Sequence, residues 1–186
     1  MRKSEIERET KETYVKILLN LDGSGSFLGD FPVPYYKHLF SAFCFYAEWD
    51  VEIMAKGDVE VDPHHLIEDT GIVWGKAFYS TVSNSNFLRF SSKIVPMDEA
   101  LVMAVVDISG RPYLEIRDDK GILNGRLIKE FLRGFVNNSQ ITLHIWLLSG
   151  ENLHHIEEAI FKALGLALGE ASKEAPNLKS TKGKIW

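Results

Sequence analysis

At 186 residues, with 45% apolar residues and a formal net charge of -5, the chain has the composition of a globular protein of one large domain or two small ones. That charge leaves no basic footprint for nucleic acid, and no apolar run approaches the length of a membrane span. The charged start Met1-Arg2-Lys3-Ser4-Glu5 lacks a signal-peptide core, and the single Cys44 permits no internal disulfide, so a reducing cytoplasm is expected.

Residues 6 to 21 begin with alternation and turn apolar through Ile17-Leu18-Leu19. Asp22-Gly23-Ser24-Gly25-Ser26 reads as a hairpin turn, with Phe27 to Tyr35 as partner strand, confined to an edge by Pro32 and Pro34. Tyr36 to Tyr46 has a helical pattern and carries His38. Trp49 to Ala55 reads as a strand, and Ile67 to Val82 as an apolar-periodic helix. The second half replays this plan. Leu101 to Ile108 is a strand, Ser109-Gly110-Arg111-Pro112 a turn, and Tyr113 to Arg117 the returning strand. Ile128 to Phe135 is a helix, Gln140 to Leu148 a strand, and Ile156 to Ala171 the last helix. The prediction is an internally duplicated α/β (α+β) chain, each half strand-strand-helix-strand-helix. The pseudo-repeats span about 1–88 and 89–176, packed as one body, and a short tail covers 177–186. By itself that lysine-rich tail reads as a frayed terminus.

One stretch is repeated with its chemistry intact. His64-His65-Leu66-Ile67-Glu68 and His154-His155-Ile156-Glu157-Glu158 are both H-H-x-x-E, and Gly75 recurs as Gly165 at the same offset. On a helix, residues i and i+4 share a face, so His64 sits over Glu68 and His154 over Glu158. His65 and His155 point roughly 100° away, at 3.6 residues per turn. Each motif can therefore ligate in two directions. Four of the 6 histidines lie in these motifs, and His144 shortly precedes the second. Imidazole and carboxylate together suit zinc, manganese, iron or nickel, so a divalent-metal site is expected.

These stretches, taken with Glu9-Thr10-Lys11-Glu12-Thr13, Leu21-Asp22-Gly23, Pro96-Met97-Asp98-Glu99-Ala100-Leu101, Asp107 to Pro112, Phe161-Lys162-Ala163 and Ser180-Thr181-Lys182-Gly183, resemble the imidazoleglycerol-phosphate dehydratase family over essentially the whole chain. The resemblance implies two similar halves folded like the second domain of ribosomal protein S5. It implies two Mn2+ ions per active site and a homo-oligomeric, 24-subunit shell with sites built between subunits. By motif match the metal ligands are His38, His64, His65, Glu68, His144, His154, His155 and Glu158. Glu12 matches an active-site acid and Lys162 a substrate-contacting lysine. Arg89, Arg111, Ser180 and Lys182 match a phosphate-binding set, which moves the tail from frayed to functional. The chain departs from the family pattern at Lys37, where an aspartate usually precedes the ligand histidine, at Ala42 in place of glutamine, and at Ser91 in place of glycine.

The activity so implied is dehydration of imidazole glycerol phosphate to imidazole acetol phosphate in histidine biosynthesis. The hydrogen to be lost has no adjacent carbonyl to acidify it. A metal-held imidazolate of the substrate would expel the neighbouring hydroxyl, give a diazafulvene and acidify the next carbon. Two other classes compete: a dinuclear metallohydrolase, and a non-catalytic shell protein stapled by metal.

Overall fold

The computed structural model describes residues 2–57, 59–181 and 183–186. The first half runs β1 (Lys3–Glu9), β2 (Thr13–Asn20), β3 (Phe27–Asp30), α1 (Pro34–Ala47), β4 (Asp50–Gly57) and α2 (His64–Val82). The second runs β5 (Phe90–Met97), β6 (Ala100–Asp107), β7 (Tyr113–Arg117), α3 (Ile128–Ser139), β8 (Thr142–Ser149) and α4 (Leu153–Ala171). Each half forms one four-stranded sheet, ordered β1-β2-β4-β3 and β5-β6-β8-β7. The internal duplication read from the sequence is the architecture of the molecule.

Two expectations need correction. Residues 6 to 21 are not one strand: Thr10 breaks the run, its hydroxyl accepting the amides of Glu12 (3.2 Å) and Thr13 (2.9 Å), and β1 folds back antiparallel on β2. Its counterpart β5 was likewise hidden, because Phe90-Ser91-Ser92-Lys93 is polar and Pro96 interrupts it; both strands are sheet edges, where proline is tolerated. The segments Asp22–Ser26 and Ser109–Pro112 are not hairpin turns. β4 lies between β2 and β3, which pairs parallel to β4, and β7 pairs parallel to β8. In the first half the loop does not close on itself. It wraps the Asp50 carboxylate, which accepts the amides of Ser24 (2.8 Å) and Ser26 (3.1 Å) at the start of β4.

Strand alternation turns Val15, Ile17 and Leu19 of β2 and Val102, Ala104 and Val106 of β6 into the same buried cluster. An aromatic centre crosses the halves: the Phe40 ring lies 5.0 Å from Phe131 and 5.7 Å from Phe161, and Phe43 lies 5.1 Å from Trp74. Cys44 is buried within it, and burial pushes its thiol well up, as expected of an inert cysteine. Helices fill the space between the sheets, α2 against β1, β2 and β4, and α4 against β5 and β6.

The helix layer is built from pairs that cross the repeat boundary, α2 with α3 and α1 with α4. Each H-H-x-x-E helix therefore packs on the plain helix of the other half. The recurrent glycines mark these contacts. A Cβ on Gly165 would lie 2.6 Å from the carbonyl oxygen of Phe43, and one on Gly75 would strike the carbonyl of Phe135. Gly165→Ala is expected to lower the stability of the chain by about 1–3 kcal/mol, the usual cost of overpacking. Denaturant unfolding of metal-free protein checks this, and a wild-type midpoint would show that the helices can part without cost.

Candidate active site

α1 begins at Pro34, suited to a first helical turn, and carries His38 on its second turn. α4 begins after Asn152, whose side chain accepts the His154 amide at 2.9 Å and caps the helix. Packing α1 on α4 brings three ligating groups to one point. His154 Nε2 lies 3.1 Å from Glu158 Oε2, and His38 Nε2 lies 3.4 Å from the same oxygen. The two imidazole rings stack at 5.6 Å, only 6° from parallel. The other carboxylate oxygen, Oε1, accepts from Lys162 Nζ at 2.8 Å, one turn along α4. Burial alone would raise the Glu158 carboxyl, but Lys162 and His38 outweigh it and hold it below its ordinary value. Glu158 is thus a buried, ionised carboxylate under two exposed imidazoles.

This set fits a divalent cation. Donors about 2.1 Å from an ion and at right angles to one another stand about 3 Å apart, close to the two separations found here. All three atoms lie within 4.8 Å of one another, and the mixed imidazole–carboxylate chemistry suits manganese or zinc. Beside the cluster is a cavity of about 410 Å3 lined by Phe27, His38, Ala42, Phe45, Glu158 and Lys162.

His155 points away from His154, as the helical angle requires. Its Nδ1 lies 2.6 Å from Glu99 Oε2, and Glu99 Oε1 accepts the amides of Asn152 (2.8 Å) and Glu151 (3.3 Å). The His155 bond, then the backbone donors, lower the Glu99 carboxyl to about 2, and Glu99 in turn raises His155. In the sequence Glu99 stands only within Pro96-Met97-Asp98-Glu99-Ala100-Leu101, with nothing beside it to signal a partner for His155. Its reach to the start of α4 depends on strand pairing that residue order does not display.

The first motif forms a separate group. His65 Nδ1 lies 2.9 Å from Glu12 Oε2, and Asp62 accepts the His64 amide at 2.9 Å. Below them the buried Asp69 is held by Arg8 at 2.7 Å and by the Thr13 hydroxyl. Glu12, His65, Glu68 and Asp69 line a cavity of about 210 Å3. His144 faces the other way. Its neighbours Leu143 and Ile145 are buried, so His144 lies on the outer face of the second sheet, where its ring meets Tyr113 at 5.7 Å. Of the eight expected ligands, the chain brings together His38, His154 and Glu158; it leaves His64, His65, Glu68, His144 and His155 elsewhere on its surface.

The expected phosphate set also gathers, with Lys182 lying outside the described residues. Arg89 holds Asp107 through Nε (2.7 Å) and Nη2 (3.2 Å), and its Nη1 donates to the Lys179 carbonyl at 2.8 Å. Arg111 is exposed, 3.9 Å from Asp107. Ser180 Oγ donates to the Lys184 carbonyl at 2.9 Å, a bond within the tail, and the Arg89 bond to Lys179 ties the tail to the body. The tail's end is pinned by Trp186, whose ring meets Tyr79 at 5.0 Å. The departures from the family pattern find places too: Ser91 is bonded to Glu170, Ala42 lines the cavity by Glu158, and Lys37 reaches to 4.0 Å from Asp30.

Three comparisons with known proteins agree. A family profile described as imidazoleglycerol-phosphate dehydratase matches residues 32–168. Curated proteins of that name from Dictyoglomus turgidum and Dictyoglomus thermophilum are 99% and 83% identical over 186 residues, covering 100% of both chains in each case. Among solved structures, IGPD from Pyrococcus furiosus, in complex with (S)-C348, superposes with a TM-score of 0.84 at 39% identity. It covers 97% of this chain and 100% of its own. Imidazoleglycerol-phosphate dehydratase from Staphylococcus aureus gives 0.80 at 34% identity, covering 92% and 100%.

The His155–Glu99 pair has a definite pH signature. His155 is raised in the folded chain, so this pairing stabilises fully below about 6.5 and fades as pH rises through the raised value. On the acid side it is lost as pH falls through about 2, where Glu99 protonates. Glu99→Gln should return the His155 imidazole to its ordinary range in an NMR titration of metal-free protein. Its stability deficit should be larger at mildly acid pH than at alkaline pH. An unmoved His155 titration would count against the pairing.

Proposed function

The chain belongs to the imidazoleglycerol-phosphate dehydratase family, hydro-lyases of histidine biosynthesis that dehydrate imidazoleglycerol phosphate, and we propose how its own residues serve that reaction. The observation that carries the reading is the convergence of His38, His154 and Glu158 beside Lys162 and an open cavity. His38, His154 and Glu158 would hold one of two manganese ions. His64, His65, Glu68, His144 and His155, set on other faces of the chain, would contribute their donors between neighbouring copies of a homo-oligomer, a 24-subunit shell. When bound, the metal supplies Lewis acidity that favours the deprotonated form of the substrate's imidazole.

The remaining work falls to side chains. The ring's electron pair would expel the adjacent hydroxyl, which takes up a proton and leaves as water; a base then removes the proton from the carbon nearer the phosphate arm, that electron pair returns to the ring, and the resulting enol tautomerises to the ketone. Glu12 is the proton carrier in this reading, and the His65 ring at 2.9 Å orients its carboxylate. Lys162 keeps Glu158 ionised and offers its ammonium at the cavity wall. Arg89, Arg111, Ser180 and Lys182 receive the phosphate, with arginine adding planar, paired donors. Asp107 already occupies Arg89, so phosphate must share that guanidinium with it. Among the described residues no helix is long and apolar enough to cross a membrane, and with one buried thiol the enzyme's proposed place is the cytoplasm.

Two experiments test this assignment with imidazole glycerol phosphate as substrate. Glu12→Gln keeps size and removes the base, so kcat should fall by roughly 10²–10⁴-fold, the usual worth of general acid–base catalysis, with manganese content near wild type. Wild-type turnover would reduce Glu12 to a surface carboxylate. Truncation after Pro176 removes Ser180 and Lys182 but no proposed ligand. It should leave metal content intact and lower kcat/KM substantially, because remote phosphate binding energy helps orient the reacting carbon. Unchanged kcat/KM would make the tail dispensable.

A further inference from the structure

We infer that Glu157, tied to Arg126 and Tyr35, is a positioning residue that sets the spacing of His38 and His154 for a bound cation. The inference rests on the reading of that cluster as a metal site. Glu157 is fully buried, with no exposed surface, and adjoins Glu158. Its Oε1 accepts from Arg126 Nε at 2.9 Å, from the segment that leads into α3. Its Oε2 accepts from the Tyr35 hydroxyl at 2.6 Å, at the start of α1. The Tyr35 ring then lies 5.7 Å from the His154 ring. Tyr35 is one helical turn before His38 on α1, and Glu157 is one turn after His154 on α4. A single buried carboxylate thus ties together the N-terminal ends of the two helices that carry the cluster.

Stability does not account for this arrangement. A buried ion pair contributes little net free energy, and apolar residues of similar volume often serve as well or better. Here the Glu157 carboxylate joins α1, α4 and the segment before α3, and its two bonds define one register between them. α1 and α4 are already fixed two turns further along, where Gly165 admits the Phe43 carbonyl. The Glu157–Tyr35 bond fixes the other end, and two fixed points remove the freedom to splay. A splay of the first turns would separate His38 Nε2 from Glu158 Oε2, now 3.4 Å apart, and open the ring stack that holds both imidazoles at the carboxylate. Partners behind metal ligands typically contribute about 10- to 100-fold in metal affinity or activity. Tyr35, with Glu157 behind it, is a partner to His154 through ring packing rather than a hydrogen bond, and the same order of effect is expected of it.

The test measures metal directly. Full-length holoenzyme, loaded with Mn2+, is equilibrated against a graded chelator, and retained Mn2+ is followed by electron paramagnetic resonance. Tyr35→Phe keeps the ring on His154 and removes one hydroxyl, so it is expected to fold. It should release Mn2+ at about 10-fold lower chelator activity than wild type, and its bound-Mn2+ spectrum should broaden. Glu157→Gln should act in the same direction. A purely structural role would lower the unfolding midpoint of metal-free protein and leave the affinity of folded protein unchanged. His154→Ala is the control for the metal site. If it loses Mn2+ while both positioning variants bind as wild type, the inference is overturned and the metal reading stands. If His154→Ala binds as wild type, both fall.

Discussion

The Glu158 carboxylate is the point on which the site depends, because it is where the two halves of the chain are joined chemically. His38 comes from the first half and His154 and Lys162 from the second, and they meet only because α1 crosses the repeat boundary to pack on α4. A buried charge without partners costs several kcal/mol, so Glu158 is tolerable only inside that contact. The Lys162 ammonium offsets its burial on one side. The other oxygen is turned to the two imidazoles, where a cation would complete it. Anything that parts α1 from α4 therefore dismantles the ligand set and the core together.

Duplication explains why the same motif does different work in its two copies. The helix pairs correspond: Gly165 meets the carbonyl of Phe43 as Gly75 meets that of Phe135. Counting back equally from Phe43 and Phe135, the residue of α3 in the place of His38 is Glu130. Its carboxylate is bound by Arg133 at 2.8 and 3.0 Å on its own helix. The helix facing the first copy thus offers a carboxylate paired with Arg133 at the position where the helix facing the second offers an imidazole. Among the described residues only the second copy closes into a cluster. The first is turned instead toward Glu12, through His65.

Much of this was legible in the sequence. The H-H-x-x-E spacing places His154 over Glu158 by helical geometry alone, and the observed 3.1 Å contact is that geometry realised. The apolar alternation of β2, β4, β6 and β8 marks the central strands, and the repeat of Gly75 as Gly165 marks the helix contacts. What failed was strand order. Asp-Gly punctuation signals a turn, but not whether the next strand pairs with the previous one. Here Asp50 captures the loop and a crossover results. The polar edges β1 and β5 were obscured because an edge strand with one exposed face needs little apolar alternation. Glu157 was hidden for a different reason. Beside Glu158 on a helix it reads as a solvated face, and its burial follows from Arg126 and Tyr35, both distant in sequence.

The remaining donors stand apart from the three-residue cluster, His65 against Glu12 and His144 against Tyr113. A cation held by the three-residue cluster would have further coordination positions open to other donors. His144 stands on the outer face of a sheet whose inner face covers α4, and successive strand residues cannot both face the helix. No side-chain rotation brings His144 round to Glu158 through that sheet. If His144 and the first-copy histidines ligate as the family pattern implies, they do so toward other copies, with the sheet faces as the approach. Those faces carry the exposed apolar residues Leu28, Met54, Phe90, Ile94 and Tyr113. Under the proposed function, an assembly that buried the sheets would also deliver the missing donors.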